Sequence, residues 1–566
     1  MISSTVKDMR AFDAEFCIDI ETVSATGQLL AIGICRLGTE HVEICTDWTD
    51  VFDILVHYKR VRVWAHNGFR FDHLYMLRNL AERGELEVID GIFDGGNIHL
   101  LSIRVLDVVI VLGDSYQIFQ SSLAKVCESY NDRFKKVHID CLPEVLYQDN
   151  RDMFYHYLRI DVLSLAEALS KLLTTLNSLF PDFGNVLPGT VGSLAMRIFR
   201  MNLTRDIITS PRGLDSFERK GYFGGLVGCR RIGFFKCVSG IDVNSMYPSV
   251  MVDRLYPTSY LGYWTYTYTS GVLGVWECYI RYPLGYTGIL WIYDAKNRCL
   301  GNVNEVFLSI LDSETLEYCL KSGYLVQVVR GYVYLETTFD MFGYMTRLYS
   351  MKNEGGARRM TAKYVLNSTY GKFGQKHERT RIGSLSYEEL CERIKSGVAV
   401  QEYDFGTQQL YSWHDEALST CTFCVVAMMV TSRARLKLYQ AVQKIIDCGM
   451  EVIYYDTDSI HFRHIDDRPW DGEITGLNIH ETDLGAWGIQ FQNAEAGYAG
   501  KKLYYYNDRV KAKGVSGFTV TDMCGLIADG KRTGSYISCT STRDVLFRNI
   551  EPGKFLKHER QLTSKD

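Results

Sequence analysis

The chain has 566 residues, 46% hydrophobic and 23% charged, with a formal net charge of −5. That length divides into several domains, and the composition excludes a disordered chain. The charge excludes a uniformly basic nucleic-acid coat but not a local basic channel. No apolar run is long enough to span a bilayer, and the first residues show no secretory signal. The 16 cysteines fall into no framework, so a reducing, cytoplasmic setting is expected.

In chain order, "EFCIDIETV" (15–23) reads as a strand with Phe16, Ile18 and Ile20 on one face and Asp19 and Glu21 on the other. Two acids on one strand face are either a solvated surface or oxygen ligands for divalent cations. "LLAIGICRL" is a second strand. "VWAHNGFRFDHLYM" (63–76) ends a strand at His66 and Asn67 and begins a helix near Asp72, where a plain N-cap is the simpler role. Residues 153–180 form a long amphipathic helix that puts Tyr157 and Asp161 on one face. "PDFGNVLPG" (181–189) breaks the pattern and is the best domain boundary.

Beyond it, "YFGGLVGCRRIGFFKCVSGIDVNSMYPSVM" reads as two strands and a turn into a helix, with Asp242 at a strand end. Residues 260–345 are rich in strands and aromatics, 350–370 are helical, and 376–412 are mixed and polar. Arg359, Lys363, Asn367 and Tyr370 share one helical face that suits a triphosphate at one end and a base pair at the other. Cys421 and Cys424 lie on an apolar helix without a second pair, so they read as buried thiols rather than zinc ligands. "VIYYDTDSIHF" (452–462) is a hairpin with Asp456, Thr457, Asp458 and Ser459 at its turn. Carboxylates that close repel unless a cation lies between them. The last thirty or so residues form a small separate unit.

Asp19-x-Glu21, Asn67-x3-Phe71-Asp72 and Tyr157-x3-Asp161 resemble the motifs of the DEDD 3′–5′ proofreading exonucleases, whose fold is ribonuclease H-like. Ser122 and Leu123 in "SSLAKV" resemble the segment that touches single-stranded primer, and either Lys135 or Lys136 matches the catalytic-site lysine. "DVNSMYP", "KYVLNSTYG" and "YYDTDS" resemble motifs A, B and C of the B-family DNA polymerases, in the right order. "YFGG" resembles the template-holding Tyr-x-Gly-Gly motif, with Tyr222, Gly224 and Gly225. "KLYYYND" resembles the Lys-x-Tyr motif, with Lys502 and Tyr504 near the primer terminus.

The resemblance implies a multidomain α/β chain. A ribonuclease H-like 3′–5′ exonuclease domain (1–185) precedes a right-hand polymerase with two insertions. Its parts are palm (186–260), a first insertion of terminal-protein type (261–349), fingers (350–375), a second insertion of strand-displacement type (376–412), palm again (413–531) and thumb (532–566). It also implies two Mg²⁺ per active site, with Mn²⁺ an alternative. Asp19, Glu21 and Asp161 are the expected ligands in one site, with Asp72 and Tyr157 beside them. Asp242, the Val243 backbone and Asp458 are expected in the other, with Asp456 coordinating less directly. Arg359, Lys363, Tyr247, Asn367 and Tyr370 would bind nucleotide; Tyr222, Gly224, Gly225, Lys502, Tyr504, Asn67, Ser122 and Leu123 would bind DNA.

The implied subgroup is the protein-primed replicases of small linear-genome viruses, phages and plasmids. Their partners are primer-template DNA, dNTPs and a separate terminal protein, and the enzyme would act as a monomer in the host cell, away from membranes. The rival readings are a B-family polymerase using an ordinary or self-made primer, and an exonuclease with a DNA-binding but inactive polymerase half. A non-enzymatic DNA-binding scaffold would not keep every motif acid.

Overall fold

The computed structural model describes residues 1–3, 11–94, 97–284, 292–415, 419–539, 545 and 555–564. A mixed sheet of ten strands dominates the N-terminal part. Strand Ala14–Thr22 pairs antiparallel with Leu29–Arg36 and parallel with Arg60–Ala65, which runs parallel to Val108–Asp114. The helix Arg151–Leu179 crosses these strands closely. A Cβ at Gly33 would stand 2.8 Å from Val162, so the bare glycine permits the approach.

Three strands of this sheet come from far along the chain. Arg379–Gly383 pairs antiparallel with Glu87–Asp94, and the hairpin of Val400–Phe405 and Gln408–Asp415 continues outward from it. Ile382, Phe405 and Leu410 are buried in the core of the N-terminal strands. The segment expected as mixed and polar is therefore strand, helix (Tyr387–Lys395) and hairpin. Its polarity follows from its place at the sheet's edge, where few side chains reach the core.

A second sheet has seven antiparallel strands in the order Arg509–Ala512, Leu503–Tyr506, Trp487–Gly500, Gly233–Val243, Ser459–His464, Met450–Asp456 and Val227–Cys229. Beneath it lies helix Cys424–Asp447, whose stretch Val425–Val430 is buried on every side, as an all-apolar helix must be. Cys424 is buried and Cys421 half-buried. A four-stranded sheet of Gly262–Thr265, Leu325–Tyr334, Gly274–Arg281 and Phe307–Asp312 makes a third layer. Helices Tyr344–Lys352 and Gly356–Phe373 meet at a break over 353–355, where Gly355 takes φ 88°.

Residues 181–189 interrupt the helical run as expected, yet the core continues through them: Phe183 and Leu187 are buried in the cluster that also holds Leu172, Leu194 and Ala427. Helix Val520–Asp529 shares a small core with Leu562 of the terminal hairpin Lys531–Cys539 and Phe555–Thr563. Among the described residues no helix is long and apolar enough to cross a membrane.

Candidate functional site

Two constellations of acids occupy two different sheets. In the first, Asp19 and Glu21 sit opposite Gly33 and Ala31 of the neighbouring strand. These small residues leave room for helix Arg151–Leu179 to bring Asp161 over the same face. One oxygen each of Asp19, Glu21 and Asp161 lies within 4.8 Å of the others. Burial raises all three, and repulsion from the neighbouring carboxylates adds to it at Asp19, held well above the usual carboxylate range, and at Glu21, pushed up to about 8; at Asp161, Lys136 and Tyr157 offset part of the rise. Burial pushes Asp72 up to about 7, and its Oδ1 accepts the Ile20 N–H at 3.1 Å. Asp72 is thus no cap of its own helix; the cap residue is Phe71, without a side-chain bond.

Lys136 Nζ donates to Asp161 Oδ2 at 2.6 Å. Burial works against the charge of Lys136, but Asp161, Asp19 and Glu21 outweigh it and raise its pKa. The structure therefore distinguishes Lys136 from its neighbour Lys135. Asp161 Oδ1 is buried without a hydrogen-bond partner. An orphaned carboxylate oxygen in an oxygen-only group is the donor set a hard divalent cation takes, so the residues fit such an ion. The Tyr157 hydroxyl meets Glu21 and Asp161, which together with burial keep it protonated.

Asn67 takes a left-handed φ of 62° and donates its N–H to Asp114 Oδ1 at 2.8 Å. Asp114 also accepts from Phe69 and Tyr116, pinning the Asn67 turn. Sequence reading missed Asp114, whose one signal is a carboxylate ending an apolar strand. Ser122 is exposed at the N-cap of helix Leu123–Tyr130, while Leu123 is buried.

In the second constellation, Asp242 stands across from Ser459 on one side and Gly488 on the other. Thr457 and Asp458 make a two-residue turn between paired Asp456 and Ser459, with Thr457 at φ 59°. The Asp458 carbonyl accepts the Val243 N–H at 2.8 Å, which fixes the turn against the Asp242 strand. Burial and Asp458 push Asp242 up to about 7; burial and Asp456 raise Asp458. Asp456 is held separately, by Lys502 Nζ at 2.6 Å and the Tyr454 hydroxyl at 3.2 Å. Gln490 Nε2 donates to Asp242 Oδ2 at 3.0 Å. With those anchors, the three acids do not converge as tightly as Asp19, Glu21 and Asp161, the one ligand-sized group among the described residues. The repelling, partly buried pair of Asp242 and Asp458 is nonetheless an oxygen site that fits a cation.

Facing these acids, Arg359, Lys363 and Asn367 are exposed on helix Gly356–Phe373. The Tyr370 ring stacks on Tyr247 with centroids 4.2 Å apart. Lys352 joins this basic face: its pKa is lowered by burial and by Lys363 and Arg359, and it bonds Ser245 Oγ at 2.9 Å. The sequence reading missed Lys352 because it belongs to the preceding helix and falls outside the 4-4-3 spacing. Tyr504 packs 4.8 Å from the Tyr454 ring. A Cβ at Gly225 would stand 2.4 Å from Thr457 Oγ1, whereas Gly224 faces open space and Tyr222 packs on Gly374.

A family model described as DNA polymerase type B, organellar and viral, matches residues 53–143 and 144–422. The DNA-directed DNA polymerase of Enterobacteria phage PRD1 is 25% identical over 476 residues, covering 80% of this chain and 76% of its own. The DNA polymerase of Bacillus phage phi29 is 26% identical over 407 residues, covering 64% and 62%. The solved phi29 DNA polymerase complexed with primer-template DNA and incoming nucleotide shares the fold at a TM-score of 0.72 and 18% identity. That likeness covers 98% of this chain and 100% of the other.

Proposed function

The chain belongs to the organellar and viral type B DNA polymerases, which are DNA-directed DNA polymerases, and we propose that it pairs template-directed extension with 3′–5′ proofreading. The observation that carries this reading is the pair of acid constellations on separate sheets, each with its own lysine: Lys136 at Asp161 and Lys502 at Asp456. When bound, two Mg²⁺, or Mn²⁺, would lower the pKa of the attacking hydroxyl or water and stabilise charge building on the phosphate.

The chain's own residues do the rest. Asp242, Asp458 and the Val243 backbone would hold the ions of extension, and Asp456, restrained by Lys502, shapes the turn. Lys363, Arg359 and Lys352 neutralise the triphosphate. Tyr247, stacked on Tyr370, walls the sugar pocket and excludes a 2′-hydroxyl, while Tyr370 and Asn367 face the new base pair. In the other site, Asp19, Glu21 and Asp161 would hold the ions, Asp72 braces their strand, and Tyr157 orients the water. Asn67, Ser122 and Leu123 guide the single-stranded end; Tyr222, Gly224 and Gly225 hold template, and Lys502 and Tyr504 the primer terminus.

The phage polymerases among its relatives support initiation on a separate terminal protein, with 261–349 as the docking insertion and 376–412 as the strand-displacing one. The test is direct. Asp458→Ala should abolish primer extension, by at least about 10²-fold, and spare degradation of a single strand; Asp19→Ala with Asp72→Ala should do the reverse. One double-acting variant, losing both activities while folded, would sink the division of labour. Nucleotide linked covalently to a terminal protein, absent an oligonucleotide, would support protein priming; extension that needs only an annealed primer would count against it.

A further inference from the structure

The loop that carries Tyr222, Gly224 and Gly225 is held by four separate parts of the chain. It follows helix Arg212–Gly221; the Tyr222 N–H caps the Arg219 carbonyl, but the last carbonyls take further partners from outside the helix. Arg298 supplies them: its Nη1 donates to the Arg219 and Lys220 carbonyls at 3.1 and 3.3 Å, and its Nη2 reaches the Tyr222 carbonyl at 3.4 Å. Arg435, from the buried helix, donates to the next two carbonyls, Phe223 at 2.9 Å and Gly224 at 3.0 Å. The Phe223 ring lies stacked on Tyr293 at 4.3 Å and 7°, with the Arg298 guanidinium 4.4 Å from its centroid.

Arg298 and Tyr293 belong to the short hairpin of Tyr293–Asp294 and Cys299–Leu300 in the first insertion. Arg298 itself takes φ 55°, a left-handed conformation that is strained for a residue with a side chain. Asp294 sets up that turn by accepting the Lys296 and Asn297 N–H groups. Strain of this kind persists where the surroundings impose it. On the far side, Arg219 donates to the Gly374 and Gln375 carbonyls at 3.0 and 2.7 Å, at the end of the helix that bears Lys363. The loop is thus wedged between the first insertion, the buried helix, the Asp456–Asp458 turn and the end of the nucleotide-facing helix.

We propose that Arg298 is a positioning residue for the template strand: by fixing the backbone of 219–222 it sets the loop's grip on template and so the partition of a primer end between extension and degradation. This rests on the two-activity reading above. A guanidinium suits the task because its planar fork presents donors from two separate nitrogens, as the split of the contacts between Nη1 and Nη2 requires, whereas an ammonium offers its donors from a single point.

The experiment uses the full chain with Arg298→Ala and Arg298→Lys on a primer-template, and reads the dNTP concentration at which net degradation gives way to net extension. For Arg298→Ala that concentration should rise about tenfold, the scale of one lost hydrogen bond from a charged donor, with a matching loss of primer-template affinity. Degradation of a single strand, which involves no template, should keep its wild-type rate. Arg298→Lys should recover part of the shift, and it gives the same readout if alanine unfolds the chain. A wild-type switching concentration and template affinity in both variants would overturn the inference while leaving the two activities standing. A wild-type protein that shows no switch at all would overturn the two-activity reading, and this inference with it.

Discussion

Lys135 and Lys136 are neighbours of one chemical type, and packing alone separates them. Lys136 reaches Asp161 at 2.6 Å, so Lys136→Ala should cut single-strand degradation roughly 10²-fold while Lys135→Ala leaves it within about twofold, as surface changes usually do; a rate assay on a labelled single strand decides it. The adjacent glycines Gly224 and Gly225 are separated in the same way. Gly225→Ala places a Cβ 2.4 Å from Thr457 and must shift the turn between Asp456 and Asp458. It should cost about 1–3 kcal/mol of stability, as overpacking does, and most of the extension activity. Gly224→Ala meets nothing within 4 Å and should leave the unfolding midpoint unchanged; calorimetry with an extension assay tests both. The acids themselves were legible in the sequence because each motif compresses its chemistry into a few residues. Asp114, Lys352, Gln490 and Arg435 were not, since each is one polar residue whose meaning lies in a partner brought near by folding.

At the scale of elements, periodicity located the strand of Asp19 and Glu21, the long helix of Tyr157 and Asp161, and the hairpin of Asp456 and Asp458. It could not say which strand pairs with which, because alternation records a strand's faces and not its neighbours. The addition of Arg379–Gly383 to Glu87–Asp94 was therefore invisible, and so was the clasp of the Tyr293 hairpin on the loop of Phe223. The first of these is anchored by Ile382, which is fully buried and would meet a Cβ at Gly91 at 2.3 Å. Ile382→Ala should cost about 2–5 kcal/mol locally. Amide hydrogen exchange should then accelerate in Glu87–Asp94 and Gln408–Asp415 together; acceleration confined to the hairpin would mean that the strands are held independently.

For the whole molecule, the acid clusters tie stability to pH and to cations. Folding raises Glu21 from 4.5 to about 8, and Asp72 and Asp242 from 3.8 to about 7. Each group binds its proton more tightly in the folded chain, so its contribution is most favourable below the unfolded pKa and is lost as pH climbs to the folded one. With divalent cations chelated, the unfolding midpoint should fall between about pH 4.5 and 8; added Mg²⁺ should restore it most at the alkaline end, where the carboxylates are ionised and ready to bind. A flat profile in chelator would refute the buried, repelling clusters. The ten-stranded sheet has a further consequence, for the nascent chain on the ribosome. Val88 and Ser384, bonded across the seam, are 296 residues apart, a wait of roughly 15–60 s at 5–20 residues per second. Throughout that interval Glu87–Asp94 presents an open edge of the kind that recruits other strands. A fragment ending at residue 185 never closes that edge, so, sampled alone, it should self-associate or call on a chaperone, and strands from beyond residue 378 should restore its solubility.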